Sequence, residues 1–320
     1  MDILIQLVIL IIGFVVLIKG ADYFVDGAAS IAKNLRVPDI LVGLTIVAFG
    51  TSAPEAAVSI KAMLNGNSDM VLGNVIGSNI LNILLIVGVA AFIYPLKVHN
   101  NTIKKELPFT LLVSGLLFIL LQDQLLGNGT INQITRSEGI VILLFFAVFL
   151  YYLISLAKSG QAEEVEAKYK MGPATIYTVI GLICIVLGGN FVVDSASTIA
   201  TAMGIGQKFI SLTIVAFGTS LPELVTSVTA ARKQEQDIAL GNIIGSNIFN
   251  ICFVVGVPAA LFGQIVPVEA LYTDLMVMLL ATVVLFIFSK SDREVSKREG
   301  AIFIGMFIVY YGYLITSQLL

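Results

Sequence analysis

Residues 44–55 read LTIVAFGTSAPE, and residues 212–223 read LTIVAFGTSLPE. Sliding the chain by 168 residues without a gap lays Leu44–Val89 on Leu212–Val257, and 27 of the 46 aligned positions are identical. After a short turn the copies continue as LGNVIGSNILNI (72–83) and LGNIIGSNIFNI (240–251). Each copy therefore holds one apolar segment interrupted at GTSxPE and a second that carries GSNIxN. The match also extends upstream, where Gly20, Val25, Asp26 and Ala28 face Gly188, Val193, Asp194 and Ala196.

The rest of the chain shows the solvent in which this duplication sits. Hydrophobic residues make up 58% of the 320, charged residues only 12%, and mean hydropathy is +0.98. A soluble domain of that length needs far more polar surface, so the composition is that of an integral membrane protein. A span needs about 20 apolar residues. Segments of that kind begin near Ile3, Ile40, Met70, Leu107, Ile140, Ala174, Phe209, Ile238, Leu271 and Ala301. The first, MDILIQLVILIIGFVVLIKG, lacks a basic leader and a cleavage site and reads as a retained helix.

Of the 18 Lys and Arg, all but Lys61, Arg136 and Lys208 fall in loops on one side. The positive-inside bias makes that side cytoplasmic, which puts both termini outside and the chain in the cell membrane. The period places five spans in each half, and an odd number turns the second half over. The expectation is an all-α integral membrane protein of ten transmembrane helices. Residues 1–157 and 173–320 form two inverted five-helix repeats with broken helices 2 and 7, and 158–172 is a short cytoplasmic linker. Inverted repeats of this kind are typical of secondary transporters, with the substrate held where the halves meet.

Pro54 and Pro222 remove an amide and clash one turn back, so each interrupted helix kinks beside Gly50, Thr51 and Ser52 or Gly218, Thr219 and Ser220. Carbonyls freed there cannot face lipid, and an oxygen cage for a cation is one way to satisfy them. Glu55 lies about 15 residues into its segment, roughly 22 Å at about 1.5 Å per residue, near the middle of a core about 30 Å thick. Glu223 occupies the equivalent place. A carboxylate there costs at least about 2.5 kcal/mol unless partnered, and Lys61, Arg232 and Lys233 are too far along their helices to serve. A bound cation is the best counter-charge. A protonated carboxyl bonded to a neighbouring carbonyl is the bland alternative.

Ser78 and Asn82, like Ser246 and Asn250, are four apart and share a helix face. Gly73 with Gly77, and Gly241 with Gly245, allow close helix contact. The asparagines also read as interhelical glue, and Asp26 and Asp194 as solvated or capping groups. Carboxylates, hydroxyls, amides and carbonyls are hard oxygen donors that suit alkali or alkaline-earth ions, with calcium favoured over magnesium. Cys184 and Cys252 read as packing residues, and with His99 the lone histidine no transition-metal site is expected. No P-loop, dinucleotide fingerprint or GxSxG elbow occurs. Neither enzymatic activity nor a cofactor is expected, and the partners expected are the ions and the bilayer, with no nucleic acid and no obligatory protein.

GTSAPE with GNVIGSNILN, and GTSLPE with GNIIGSNIFN, resemble the two alpha-repeats of the cation/calcium exchanger superfamily, in particular its prokaryotic sodium/calcium exchangers. The resemblance covers essentially the whole chain. It implies calcium ligation by Glu55, Glu223 and the carbonyls of Thr51 and Thr219. It implies sodium sites at Ala48, Ser52, Ser78, Ala216, Ser220 and Ser246, with Asn82 and Asn250 as a central polar pair. Some relatives carry Asp where this chain has Asn250, including potassium-dependent exchangers, so potassium co-transport is not expected. The cation/proton branch carries a glutamate where this chain has Gly77 and Gly245, which leaves calcium/proton exchange as the runner-up. A passive cation channel and an intramembrane hydrolase are the readings from other classes. The resemblance also implies alternating access in which the first and sixth helices slide, with calcium and sodium competing for one site.

Overall fold

The computed structural model describes residues 3–126, 131–158, 166–204, 216–266 and 271–319. In chain order the helices are α1 Ile3–Leu35, α2 Asp39–Thr51, α3 Ala53–Leu64, α4 Asp69–Ile93, α5 Leu107–Leu120, α6 Arg136–Lys158 and α7 Met171–Ala202. They continue with α8 Ala216–Thr219, α9 Leu221–Arg232, α10 Gln236–Phe262, α11 Leu271–Ser291 and α12 Lys297–Leu319. Among the described residues seven of these are long and apolar enough to cross a membrane, and α2 with α3, bent by 44°, makes an eighth. The predicted fourth span is shorter as a regular helix, because α5 is entered through a π-helical turn at Thr102–Glu106. The start of the predicted seventh, near Phe209, and Lys208 lie outside the described residues, as do 159–165 of the linker.

The helical stretches leave their loops with backbone groups to satisfy, and some pair as strand. Leu96–Lys97 (β1) runs antiparallel to Glu294–Val295 (β2), and Ile134 bridges Ile265. This is a small departure from an all-helical chain, confined to interhelical turns.

Two layers are distinguished by burial. Of its most apolar stretch, α10 has 94% buried and α4 72%, against 22% for α1. The helices with GSNIxN are thus the centre, while α1, α6, α7, α11 and α12 turn large side chains such as Ile11, Leu144, Ile183, Leu280 and Val309 outward. Exposed apolar side chains at this density suit lipid.

At about 1.5 Å per residue α1 and α7 are each about 50 Å long, beyond the thickness of a bilayer core. They pack against each other along their length on glycines. A Cβ at Gly181 would stand 2.5 Å from the Phe24 nitrogen, and one at Gly188 2.6 Å from the Leu17 nitrogen. The core joint is equally close. A Cβ at Gly241 would meet the Ile40 carbonyl at 2.8 Å, and one at Gly245 would meet the Ala48 Cβ at 2.7 Å, so α10 lies directly on α2. The repeat equivalents of Ile40 and Ala48, which Gly73 and Gly77 would meet, are Lys208, outside the described residues, and Ala216, whose side chain is outside them as well.

Candidate functional site

Ser52 and Ser220 separate the two parts of each broken helix, with φ/ψ of −86°/6° and −92°/3°. Only part of the backbone ladder survives the first break: the Ser52 N–H donates to the Ala48 carbonyl at 3.0 Å and the Ala56 N–H to the Ser52 carbonyl at 3.2 Å. The second break retains the matching Leu224-to-Ser220 bond at 3.0 Å. Pro54 and Pro222 fall in the first turn of α3 and α9, where a missing N–H costs little. Their i−4 carbonyls, on Gly50 and Gly218, still lose a helical donor.

This geometry sets Glu55 and Glu223 in the first turn of a helix, where the partial positive charge of the N-terminus favours a carboxylate. SAPE and SLPE have the form of a capping box, in which the serine would bond its own helix. The serines are used differently. Ser52 Oγ donates to Glu223 Oε1 at 2.8 Å, from one half of the chain to the other. Ser220 Oγ lies 3.0 Å from Ser78 Oγ, and Ser78 Oγ donates to Glu55 Oε1 at 3.2 Å. Both carboxylates are 0% exposed.

Among the described residues, one oxygen of each carboxylate, Oε2 of Glu55 and of Glu223, has no hydrogen-bond partner, and neither does buried Ser246 Oγ. The ion pairs of the described residues use other carboxylates. Arg232 and Lys233 stay away from Glu223, and Lys233 instead reaches Asp26 at 2.7 Å and Asp22 at 3.5 Å. Lys168 takes the other oxygen of Asp26 at 2.7 Å, so Asp26 is a clasped carboxylate rather than a solvated cap. Positions 65 and 190, the repeat equivalents of Lys233 and Asp22, are both asparagine, so this clasp belongs to one half alone.

Thr51 is fully buried, and its hydroxyl lies 3.1 Å from the Val47 carbonyl and 3.0 Å from Asn242 Oδ1. Thr219 ends α8 as Thr51 ends α2. Ala48 is buried in α2; the Ala216 side chain lies outside the described residues. Asn82 and Asn250 sit in π-helical turns, Leu81–Val87 and Asn250–Val255, at equivalent points of α4 and α10. Such widened turns often mark functional positions.

The sequence reading passed over four asparagines. Asn74 donates to the Glu55 carbonyl at 3.1 Å and to Ser59 Oγ at 3.0 Å, and Asn242 makes the same pair of bonds to Glu223 and Ser227 at 3.5 and 2.8 Å. Asn79 and Asn247 bond the central pair across the halves: Asn82 Nδ2 donates to Asn247 Oδ1 at 2.9 Å, and Asn250 Nδ2 donates to Asn79 Oδ1 at 3.1 Å. Their duplication in GNxIGSN was the available signal. Asn74 and Asn242 also stand four residues before Ser78 and Ser246, on the same helix face; what the spacing does not give is the partners they meet across the turn and across the halves.

The site therefore offers two buried carboxylates, hydroxyls and amide oxygens drawn from both halves. That donor set, free of nitrogen and sulfur ligands, is of the kind that suits a hard cation of charge up to two. Buried unpaired oxygens beside fixed negative charge are the observation that such a cation satisfies.

Comparison with known proteins agrees with this geometry. The sequence profile of the family described as "Sodium/calcium exchanger protein" matches residues 5–155 and 173–316. The sodium/calcium exchanger MaX1 of Methanosarcina acetivorans is 34% identical, over 96% of this chain and 97% of its own. CaxA of Alkalimonas amylolytica, which is named an antiporter, is 39% identical over 98% of this chain and all of its own. A structure of the sodium-calcium exchanger NCX_Mj soaked with sodium and strontium superposes with a TM-score of 0.85 at 30% identity, covering 97% of this chain and 99% of that one. On a profile that spans both halves and a fold shared end to end, the chain belongs to the sodium/calcium exchanger protein family of membrane cation exchangers.

Proposed function

We propose that the chain is a secondary antiporter that exchanges sodium for calcium by alternating access, independently of potassium and with net charge movement. The reading takes the fold as ten transmembrane helices in two inverted halves, 1–157 and 173–320, with both termini outside the cell membrane. Glu55 and Glu223, with the carbonyls of Thr51 and Thr219, hold calcium. Ala48, Ser52, Ser78, Ala216, Ser220 and Ser246 supply sodium sites around the same carboxylates, and Asn82 and Asn250 close the centre.

The observation that carries this is the exchange of partners between halves: Glu223 takes its hydroxyl from Ser52, and Ser220 reaches the serine that serves Glu55. A site built this way belongs to neither half, so relative motion of the surrounding helices can uncover it from one side or the other. The long α1–α7 pair, in close glycine contact with itself and largely lipid-facing, is the part that slides over the core, a motion that must open the clasp of Lys233 on Asp22 and Asp26. Two carboxylates balance one calcium or two sodium ions. A third sodium leaves the loaded site with net positive charge, which makes the cycle electrogenic. An unneutralised pair of buried carboxylates opposes movement of the empty site, which couples the two fluxes.

The test is radioactive calcium uptake into sodium-loaded proteoliposomes diluted into sodium-free medium, with potassium, proton and no-gradient controls. Uptake that requires the outward sodium gradient is the expected result. Uptake that follows a proton gradient instead would make the coupling ion wrong and move the chain to calcium/proton exchange. Uptake without any gradient would replace the antiporter with a passive pathway.

A further inference from the structure

An asparagine at an ion site is ambiguous, because its amide presents either one oxygen acceptor or two N–H donors, and only the oxygen is useful to a cation. What settles the orientation is the partner of the nitrogen. In the centre of this fold both nitrogens are engaged from the opposite half: Asn82 Nδ2 by Asn247 Oδ1 at 2.9 Å and Asn250 Nδ2 by Asn79 Oδ1 at 3.1 Å. All four side chains are at most 2% exposed, and among the described residues Oδ1 of Asn82 and of Asn250 has no hydrogen-bond partner. Asn79 is itself tied, its Nδ2 donating to the Asn247 carbonyl at 3.3 Å, so turning its amide would lose two bonds at once.

We infer that Asn79 and Asn247 are positioning residues that lock the amides of Asn250 and Asn82 with their oxygens toward the ion site. The inference rests on the reading that these amides face transported cations. Each lock comes from the other repeat, so the orientation holds only when the halves are docked. A turned amide would aim an N–H₂ group at a cation, which repels rather than ligates it.

Interhelical packing alone would use the same hydrogen bonds, and the two roles separate in a double-mutant cycle. Aspartate at position 250 presents oxygen whichever way it turns, so its orientation needs no lock. Radioactive sodium and calcium binding to purified protein would be measured for wild type, Asn79→Ala, Asn250→Asp and the double variant, with thermal unfolding as the control for folding. In the wild-type background Asn79→Ala is expected to weaken sodium binding by up to about tenfold, the scale of the neutral amide–amide hydrogen bond that holds the Asn250 oxygen in place. In the Asn250→Asp background, where the carboxylate has no N–H to give Asn79 Oδ1, the same change is expected to shift sodium binding by less than about twofold, with every variant still unfolding cooperatively well above the assay temperature. Asn247→Ala paired with Asn82→Asp gives the mirror test. An equal loss of sodium affinity in both backgrounds overturns the inference and leaves Asn79 a packing residue. Wild-type protein that binds neither ion overturns the underlying reading, and the inference with it.

Discussion

Replacing Glu55 or Glu223 by glutamine removes one of two charges while keeping an oxygen where the serine donates, at 3.2 Å from Ser78 or 2.8 Å from Ser52. The perturbation is therefore electrostatic and leaves the local fold in place. At an effective dielectric of about 20 and a calcium–oxygen distance of about 2.4 Å, one carboxylate and a divalent ion attract by about 14 kcal/mol gross. Most of this is offset by stripping water from both ions. The site is 0% exposed and no lysine or arginine pairs with either group among the described residues, so a net fifth, about 3 kcal/mol, is a conservative remainder. That is on the order of a hundredfold in calcium affinity. A monovalent ion feels half the attraction, so sodium affinity should fall only about tenfold. The assay is sodium-driven calcium uptake as a function of calcium concentration, with sodium inhibition of calcium binding measured in parallel. Half-saturation within about threefold of wild type in both variants would refute the placement of the two carboxylates at the ion.

Other perturbations probe the frame. Ser52→Ala removes the hydroxyl that crosses to Glu223 at 2.8 Å and should weaken calcium binding by about tenfold or more, read in the same uptake assay. Gly245→Ala would place a Cβ 2.7 Å from that of Ala48 and 2.9 Å from the Leu44 backbone, so thermal unfolding in detergent should fall clearly. Gly305→Ala meets nothing within 4 Å and should leave unfolding unchanged. Lys233→Glu sets a third carboxylate beside Asp22 and Asp26 and should lower stability and uptake. Adding Asp26→Lys should recover part of the loss, a coupling of about 1–2 kcal/mol; strictly additive effects would show that the clasp is not felt.

Much of this molecule was legible before any coordinates. Composition fixes the solvent, because no water-soluble surface can be made from so few polar side chains. The gap-free repeat fixes the paired architecture of the core, because GTSxPE breaks a helix wherever its proline falls and GSNIxN sets polar groups on one that does not break. Glu55 and Glu223 could be chosen from sequence because an apolar segment has few other charges to weigh.

The partners of those groups were not legible. Nothing local distinguishes Ser52 as a cap for its own helix from Ser52 as a donor to Glu223, 171 residues away. Likewise, Asn79 neighbours Asn82 three residues on along the helix, but only the docking of α4 against α10 gives it the Asn250 amide. Asp26 looks like a solvated helix end in sequence because its two lysines come from the linker and from the turn after α9. The sequence by itself determined which chemical groups are present and on which helices. Tertiary structure decided which groups meet, because hydrogen bonds act over about 3 Å and the two halves reach that distance only when close-packed glycines let α10 rest on α2.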